Sequence, residues 1–159
     1  MRPDDDERDP KTSGLPPRHR VRAALAALRA LYRKADAAYA PFSCPASGEC
    51  CQLSVTRREP WLYLPEWLAL MERTGGTVPP PRADGGCPFL DASGRRCSVY
   101  ANRPFGCRTF FCARVRGPAR EPIEQMAALS RQLRVLAESL APDDAAPQPL
   151  SAWVARILI

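Results

Sequence analysis

Histidine and lysine are nearly missing from this chain. His19 is the single imidazole, and Lys11 and Lys34 stand against 21 arginines. A zinc finger or a histidine-rich catalytic site would therefore lack its usual nitrogen ligands. No two cysteines are separated by two residues, so the spacing of a zinc ribbon is missing as well. No run approaches the roughly 18 apolar residues needed to span a bilayer. The opening MRPDDDERDPKTSG has no apolar core of the kind a secretory signal requires. These absences lead to the expectation of a cytoplasmic protein with no membrane partner, whose thiols stay reduced. No Ser–His–Asp set, paired-carboxylate box or phosphate loop argues for an enzyme, and catalysis is left open.

Charge of one sign is also scarce once it is located. The formal net charge is +6. Residues 1–20 carry five basic and five acidic side chains and cancel. Residues 21–40 contribute +3, residues 41–112 contribute +2 and the remainder +1. Basic side chains are thus spread thinly among acids, whereas a nucleic-acid footprint gathers on one face or one helix. The pattern speaks against nucleic acid as a partner.

Cysteine, by contrast, is present and gathered. Cys44, Cys50, Cys51, Cys87, Cys97, Cys107 and Cys112 all fall within one stretch, and neither flank holds another. Seven is odd, so complete intramolecular pairing is impossible. Soft thiolates select zinc, copper(I) or iron–sulfur clusters over hard cations. The gaps between them are irregular, which implies a site assembled from several loops. Cys50 and Cys51 point to opposite sides of an extended chain and can share one centre only through a turn. Cys107 and Cys112 would lie about 140° apart on a helix, so a helix there must break for them to meet. Seven thiols exceed the four that one tetrahedral ion or cubane needs, so either some are packing residues or there are two ions. Phe89, Phe105, Phe110 and Phe111 lie among the last four cysteines and would keep water from the sulfurs. Arg103 and Arg108 are placed to offset the negative charge of a thiolate centre.

Around this stretch the elements follow from apolar spacing. Residues 1–18 are acidic and proline-containing, which suggests a disordered leader. Val21, Leu25, Leu28, Tyr32, Ala35 and Tyr39 repeat at four and three, predicting a helix over 21–40 that Pro41 closes. QLSVTRR after Cys51 alternates loosely and reads as a short strand. LPEWLALMERTGG predicts a middle helix with Pro65 in its first turn and Gly75–Gly76 as its stop. DASG predicts a tight turn in a small hairpin that holds Cys87 near Cys97. Pro104 should open a short helix. Met126, Leu129, Leu133, Leu136 and Leu140 predict a second long helix ended by Pro142. PDDAAPQP reads as a linker, with Ser151 capping a short terminal helix.

The runs CPFL, G-x-x-CSVY and RPFGCR-x-x-x-C resemble the second half of the YkgJ-type cysteine-cluster family. Its first half is a CxxCxxCC box behind a helix with a leucine–tyrosine pair, as Leu31 and Tyr32 are here. The resemblance covers about residues 25–115 and implies a zinc- or iron-chelating domain with eight ligand-type cysteines. This chain keeps seven, and Ser47 stands where the second cysteine of the box would be.

The expected fold is mainly α: a small single domain with two long helices and a middle helix around an irregular cysteine-rich segment, with a minor β-hairpin. Residues 19–141 form the metal-binding domain, between the leader at 1–18 and a linker with a short helix at 142–159. The expected function is metal binding, zinc or iron, with an iron–sulfur cluster included, through the seven cysteines, and with Arg103 and Arg108 behind them. Two alternatives stand beside it: an iron–sulfur redox or catalytic protein, and an interaction module in which the amphipathic helices meet a protein partner and the metal is a staple.

Overall fold

The computed structural model describes residues 14–44, 47–111 and 119–157. Most of the expected leader, and Cys112, lie outside them. Helix α1 spans Arg18–Ala38, starting a little before the apolar pattern does. It ends ahead of Ala40, whose position before Pro41 disfavours helical backbone. Its inner face is Leu25, Leu28, Leu31, Tyr32 and Ala35, while Arg22, Arg29 and Arg33 face water. Helix α2 is the single turn Leu53–Thr56, where loose alternation suggested a strand. The amides of Val55 and Thr56 bond back to the Gln52 carbonyl, and Arg57 in the left-handed region (φ 52°) ends the turn. Four residues are too few for periodicity to separate the two outcomes.

Strand β1, Trp61–Leu62, leads into helix α3, Leu64–Thr74. Pro65 sits in the first turn of α3, the Glu66 carboxylate accepts the Tyr63 amide at 2.9 Å, and Gly75 closes the helix at φ 64°. The following residues run without regular structure through the proline loop to the hairpin. That hairpin is reduced to one bridge, Leu90 to Cys97, around the turn at Gly94. Helix α4 is Phe105–Arg108, and helix α5 is Ile123–Leu140. Beyond it, strand β2, Gln148–Pro149, pairs antiparallel with β1, and helix α6 covers Leu150–Ile157. The segment expected as linker therefore carries a strand. Ser151 lies inside α6 rather than capping it, and its amide donates to the Glu59 carboxylate instead.

The core falls into two joined parts. Helices α1 and α5 bury Leu25, Leu28, Tyr32, Ala35, Leu129 and Leu133 together with Ala69 of α3. The second part gathers Leu62, Trp67, Leu70, Phe89, Val99, Leu140 and Trp153. Trp153 stacks on Trp67 with ring centroids 5.8 Å apart, and its indole N–H donates to the Leu62 carbonyl at 3.0 Å. An indole so placed is worth roughly 3–5 kcal/mol against truncation to alanine. Among the described residues the architecture is mainly helical with one two-stranded sheet. Among the described residues no helix is long and apolar enough to cross a membrane.

Candidate metal centre

Four separate segments bring the thiols together. The first holds Cys44 and residues 47–51, of which the last three, Glu49–Cys51, form a 3-10 turn. That turn brings neighbouring sulfurs to one side: the Sγ atoms of Cys50 and Cys51 are 4.0 Å apart. Two thiolates on one tetrahedral zinc, each 2.3 Å from the ion, would be about 3.8 Å apart. Adjacent position, which in an extended chain would separate the pair, is thus no obstacle here.

The second and third segments are the two arms of the hairpin, carrying Cys87 and Cys97. The Cys87 amide donates to the Cys51 carbonyl at 2.8 Å, Gln52 Nε2 to the Gly94 carbonyl at 3.1 Å, and Ser54 Oγ to the Asp84 carbonyl at 2.9 Å. Gly48 fixes the closest approach. It holds φ 72°, and a Cβ there would stand 2.6 Å from the Arg95 carbonyl oxygen. Only glycine meets both demands, the left-handed backbone and the contact.

Helix α4 supplies the fourth segment, with Cys107. The Phe105 amide at its start donates to Glu66 Oε1 at 2.6 Å, and Tyr32 Oη donates to the same oxygen at 3.1 Å. Glu66 is 1 % exposed, so one carboxylate joins α1, α3 and α4 inside the protein. Burial raises its pKa, against the opposing pull of the Phe105 and Tyr63 amides. The helix breaks after Arg108, as a shared site for Cys107 and Cys112 would require; Cys112 itself is outside the described residues.

Cys44, Cys50, Cys51, Cys87, Cys97 and Cys107 all line a single cavity of about 850 Å3, as does Ser47. Cys50, Cys51, Cys87, Cys97 and Cys107 are free thiols. Phe89, Phe110 and Phe111 also line it, whereas Phe105 packs on the α1–α5 core instead. Among the described residues no three His, Cys, Asp or Glu side chains converge tightly enough to hold one ion. The thiols share a cavity without being drawn to a point.

Their protonation shows what a cation would change. Burial pushes Cys107 up to about 12 and Cys87 up to about 11, and raises Cys97. Cys50 and Cys51 act as a pair: their mutual hydrogen bond holds Cys50 down at about 6 and drives Cys51 well up. Cys87 and Cys97 also oppose the ionisation of Cys51, and Cys87, Cys97 and Cys50 that of Cys107. The sulfurs are near enough to oppose one another's ionisation, which a bound cation would relieve.

Both expected arginines are at the cavity wall. Arg108 is 3 % exposed, bound to Asp36 Oδ2 at 2.5 Å and to the Ala101 carbonyl at 2.7 Å, with Tyr32 under its plane at 4.1 Å. Its Nε is the one buried side-chain nitrogen or oxygen among the described residues with no hydrogen-bond partner. Arg103 reaches Asp36 Oδ1 at 3.6 Å and lies over Tyr100. Its charge favours the thiolate form of Cys50 and of Cys97. The donor set, its mutual repulsion and a buried cation short of one acceptor suit a soft metal with its thiolates. Sequence reasoning missed Asp36 and Glu66. Asp36 follows Tyr32 by one helical turn, a spacing that could have placed it on the same side of α1; Glu66 gave no signal beyond its place in the first turn of α3.

A family model, CxxCxxCC, described as a putative zinc- or iron-chelating domain, matches residues 43–129, more than half of the chain. No curated protein and no solved structure matches it.

Proposed function

The chain belongs to the CxxCxxCC family, and on that premise we propose that its clustered thiolates hold zinc or iron inside the cysteine-lined cavity. Cys50 and Cys51 supply the first pair, Cys87, Cys97 and Cys107 the further ligands, and Cys44 and Cys112 complete the candidate set. Arg103 and Arg108 sit behind the sulfurs and offset their charge. One observation carries the reading: six cysteines from four segments line one cavity.

A tetrathiolate centre, whether a single zinc or an oxidised cubane, carries a net charge near −2. This chain's part is to lower the cost of burying that charge. The two guanidiniums anchored on Asp36 do so, and Phe89, Phe110 and Phe111 keep water back. Reduced thiols are needed throughout, which fits a cytoplasmic protein. The role is metal holding, with the metal also stapling the box loop, the hairpin and α4 together.

Protein purified without added metal tests this. The expected result is at least one equivalent of zinc or iron by elemental analysis, with thiols that become reactive only after chelation. A coloured anaerobic preparation with labile sulfide would identify an iron–sulfur cluster. Metal-free protein with all seven thiols freely reactive would overturn the reading.

A further inference from the structure

The cavity is far larger than an ion needs. A sphere reaching from a zinc ion to sulfurs at 2.3 Å encloses about 50 Å3, against a cavity of about 850 Å3. That volume lies within the range of small-molecule sites, roughly 300–1,000 Å3. Apart from the sulfurs, much of its wall is apolar: Leu53, Trp61, Leu70, Phe89, Val99 and Phe110. Trp61 is 60 % exposed. Its indole therefore stands at the mouth of the cavity, within reach of a ligand placed there.

Beside it stands a cation that has no carboxylate partner among the described residues, although its charge also favours the thiolate form of Cys50. Arg57 takes the left-handed conformation at φ 52°, uncommon for a residue with a side chain. The chain turns there, and Arg58, the next residue, lines the cavity. The Arg58 guanidinium lies over the Phe110 ring at 3.5 Å. Stacking holds the plane, and among the described residues no carboxylate pairs with its N–H edge. The other two cavity arginines, Arg103 and Arg108, are tied to Asp36. The wall holds two carboxylates, Glu49 and Glu59, and the second is engaged by the Ser151 amide. A planar guanidinium edge matches a carboxylate or sulfonate in two parallel hydrogen bonds.

We infer that the cavity also binds a small organic anion, beside the metal site proposed above. Its apolar body, about the size of a phenylalkyl group, lies against Trp61, Leu53 and Phe110, and its acid group sits on the edge of Arg58. The inference rests on the proposed metal reading only in sharing the cavity with it.

Titration of the full-length, as-purified protein with 4-phenylbutyrate by calorimetry tests it, with 4-phenylbutyramide as the neutral counterpart. The expected result is saturable binding of one molecule per chain, with the amide at least tenfold weaker. Arg58→Ala should weaken the acid at least tenfold and leave the amide unchanged, and Trp61→Ala should weaken both. Arg58→Lys, which keeps the charge, should recover part of the loss. Circular dichroism and metal content are read on every sample. Absence of saturable binding would overturn the inference, as would equal binding of acid and amide, or an Arg58→Ala protein that is folded and binds unchanged. Metal without phenylbutyrate binding refutes this inference alone. Phenylbutyrate binding in protein that takes no metal refutes the metal reading alone.

Discussion

The sulfurs of Cys50 and Cys51, neighbours in sequence, lie 4.0 Å apart on one side of a 3-10 turn. That is close to the edge of a zinc tetrathiolate, about 3.8 Å. If the pair forms half of a ligand set, Cys51→Ser should take bound metal from about one equivalent to near none. Exposed Cys44, six positions before Cys50 in the sequence, should matter less. Elemental analysis of Cys44→Ser and Cys51→Ser, prepared side by side, checks the order; equal retention of metal would remove the pair from the ligand set.

Proton release gives metal binding a pH dependence of known sign. Cys87 at about 11 and Cys107 at about 12 are protonated in the metal-free fold at neutral pH and must lose that proton to ligate. Apparent affinity should therefore rise with pH, by roughly tenfold per unit for each proton released. The metal-free fold should behave in the opposite way. A thiol whose folded pKa exceeds its unfolded value of about 8.5 adds stability that is full below that value. This stability is lost as pH rises towards 11 and 12. Competition titrations against a chelator, paired with alkaline melts of the stripped protein, should show the two opposed slopes.

Ser47 lines the cysteine cavity at the position where the family box has its second cysteine. A cavity of about 850 Å3 leaves room for one more sulfur there. Ser47→Cys should bind metal at least as tightly as the parent and keep its melting temperature when stripped. Weaker binding in a folded Ser47→Cys protein would show that the serine is required.

Glu66 accepts hydrogen bonds from Phe105, Tyr63 and Tyr32 with essentially no water near it. Glu66→Ala should cost about 2–4 kcal/mol, because buried donors at Phe105 and Tyr32 lose their acceptor. Glu66→Gln keeps an oxygen and should cost less. Urea unfolding of metal-stripped protein separates this effect on stability from any effect on metal. A Glu66→Ala protein as stable as its parent would mean that water replaces the carboxylate.

Removing the metal should loosen the middle of the chain more than its long helices. Residues 75–99 include no helix and only a single bridge. A structural zinc site contributes roughly 10–16 kcal/mol of apparent binding energy, comparable with the 5–15 kcal/mol net stability of a whole domain. Helices α1 and α5 rest instead on Leu25, Leu28, Leu129 and Leu133. Chelation should expose the middle segment to protease while most helical dichroism remains; unchanged protease resistance would make the thiols ordinary packing residues.

Much of this arrangement was legible in the residues alone. The apolar repeats of α1 and α5, the proline and glycine limits of α3, and the Gly94 turn are local signals, and local signals survive into the fold. That Cys44, Cys50, Cys51, Cys87, Cys97 and Cys107 share one cavity could be anticipated, because seven thiols in one stretch have no simple packing explanation. What escaped depends on partners far away in sequence. Asp36 acquires meaning only when Arg103 and Arg108 arrive beside it, and Glu66 only when the start of α4 does. The β1–β2 pair is two residues on each side and includes Pro149, too short to leave a periodic trace. The turn at Leu53–Thr56 fails for the same reason of length.

Leu150, at the start of α6, lines the cysteine cavity, and its amide is fixed to the Pro60 carbonyl at 2.9 Å. It follows Cys112, the last cysteine, by 38 positions. On the ribosome, every thiol is therefore made before the residue that completes this wall, and before Trp153 clamps α6 onto Trp67. Any metal those thiols took up on the nascent chain would be walled in only afterwards, when the C-terminal segment docks.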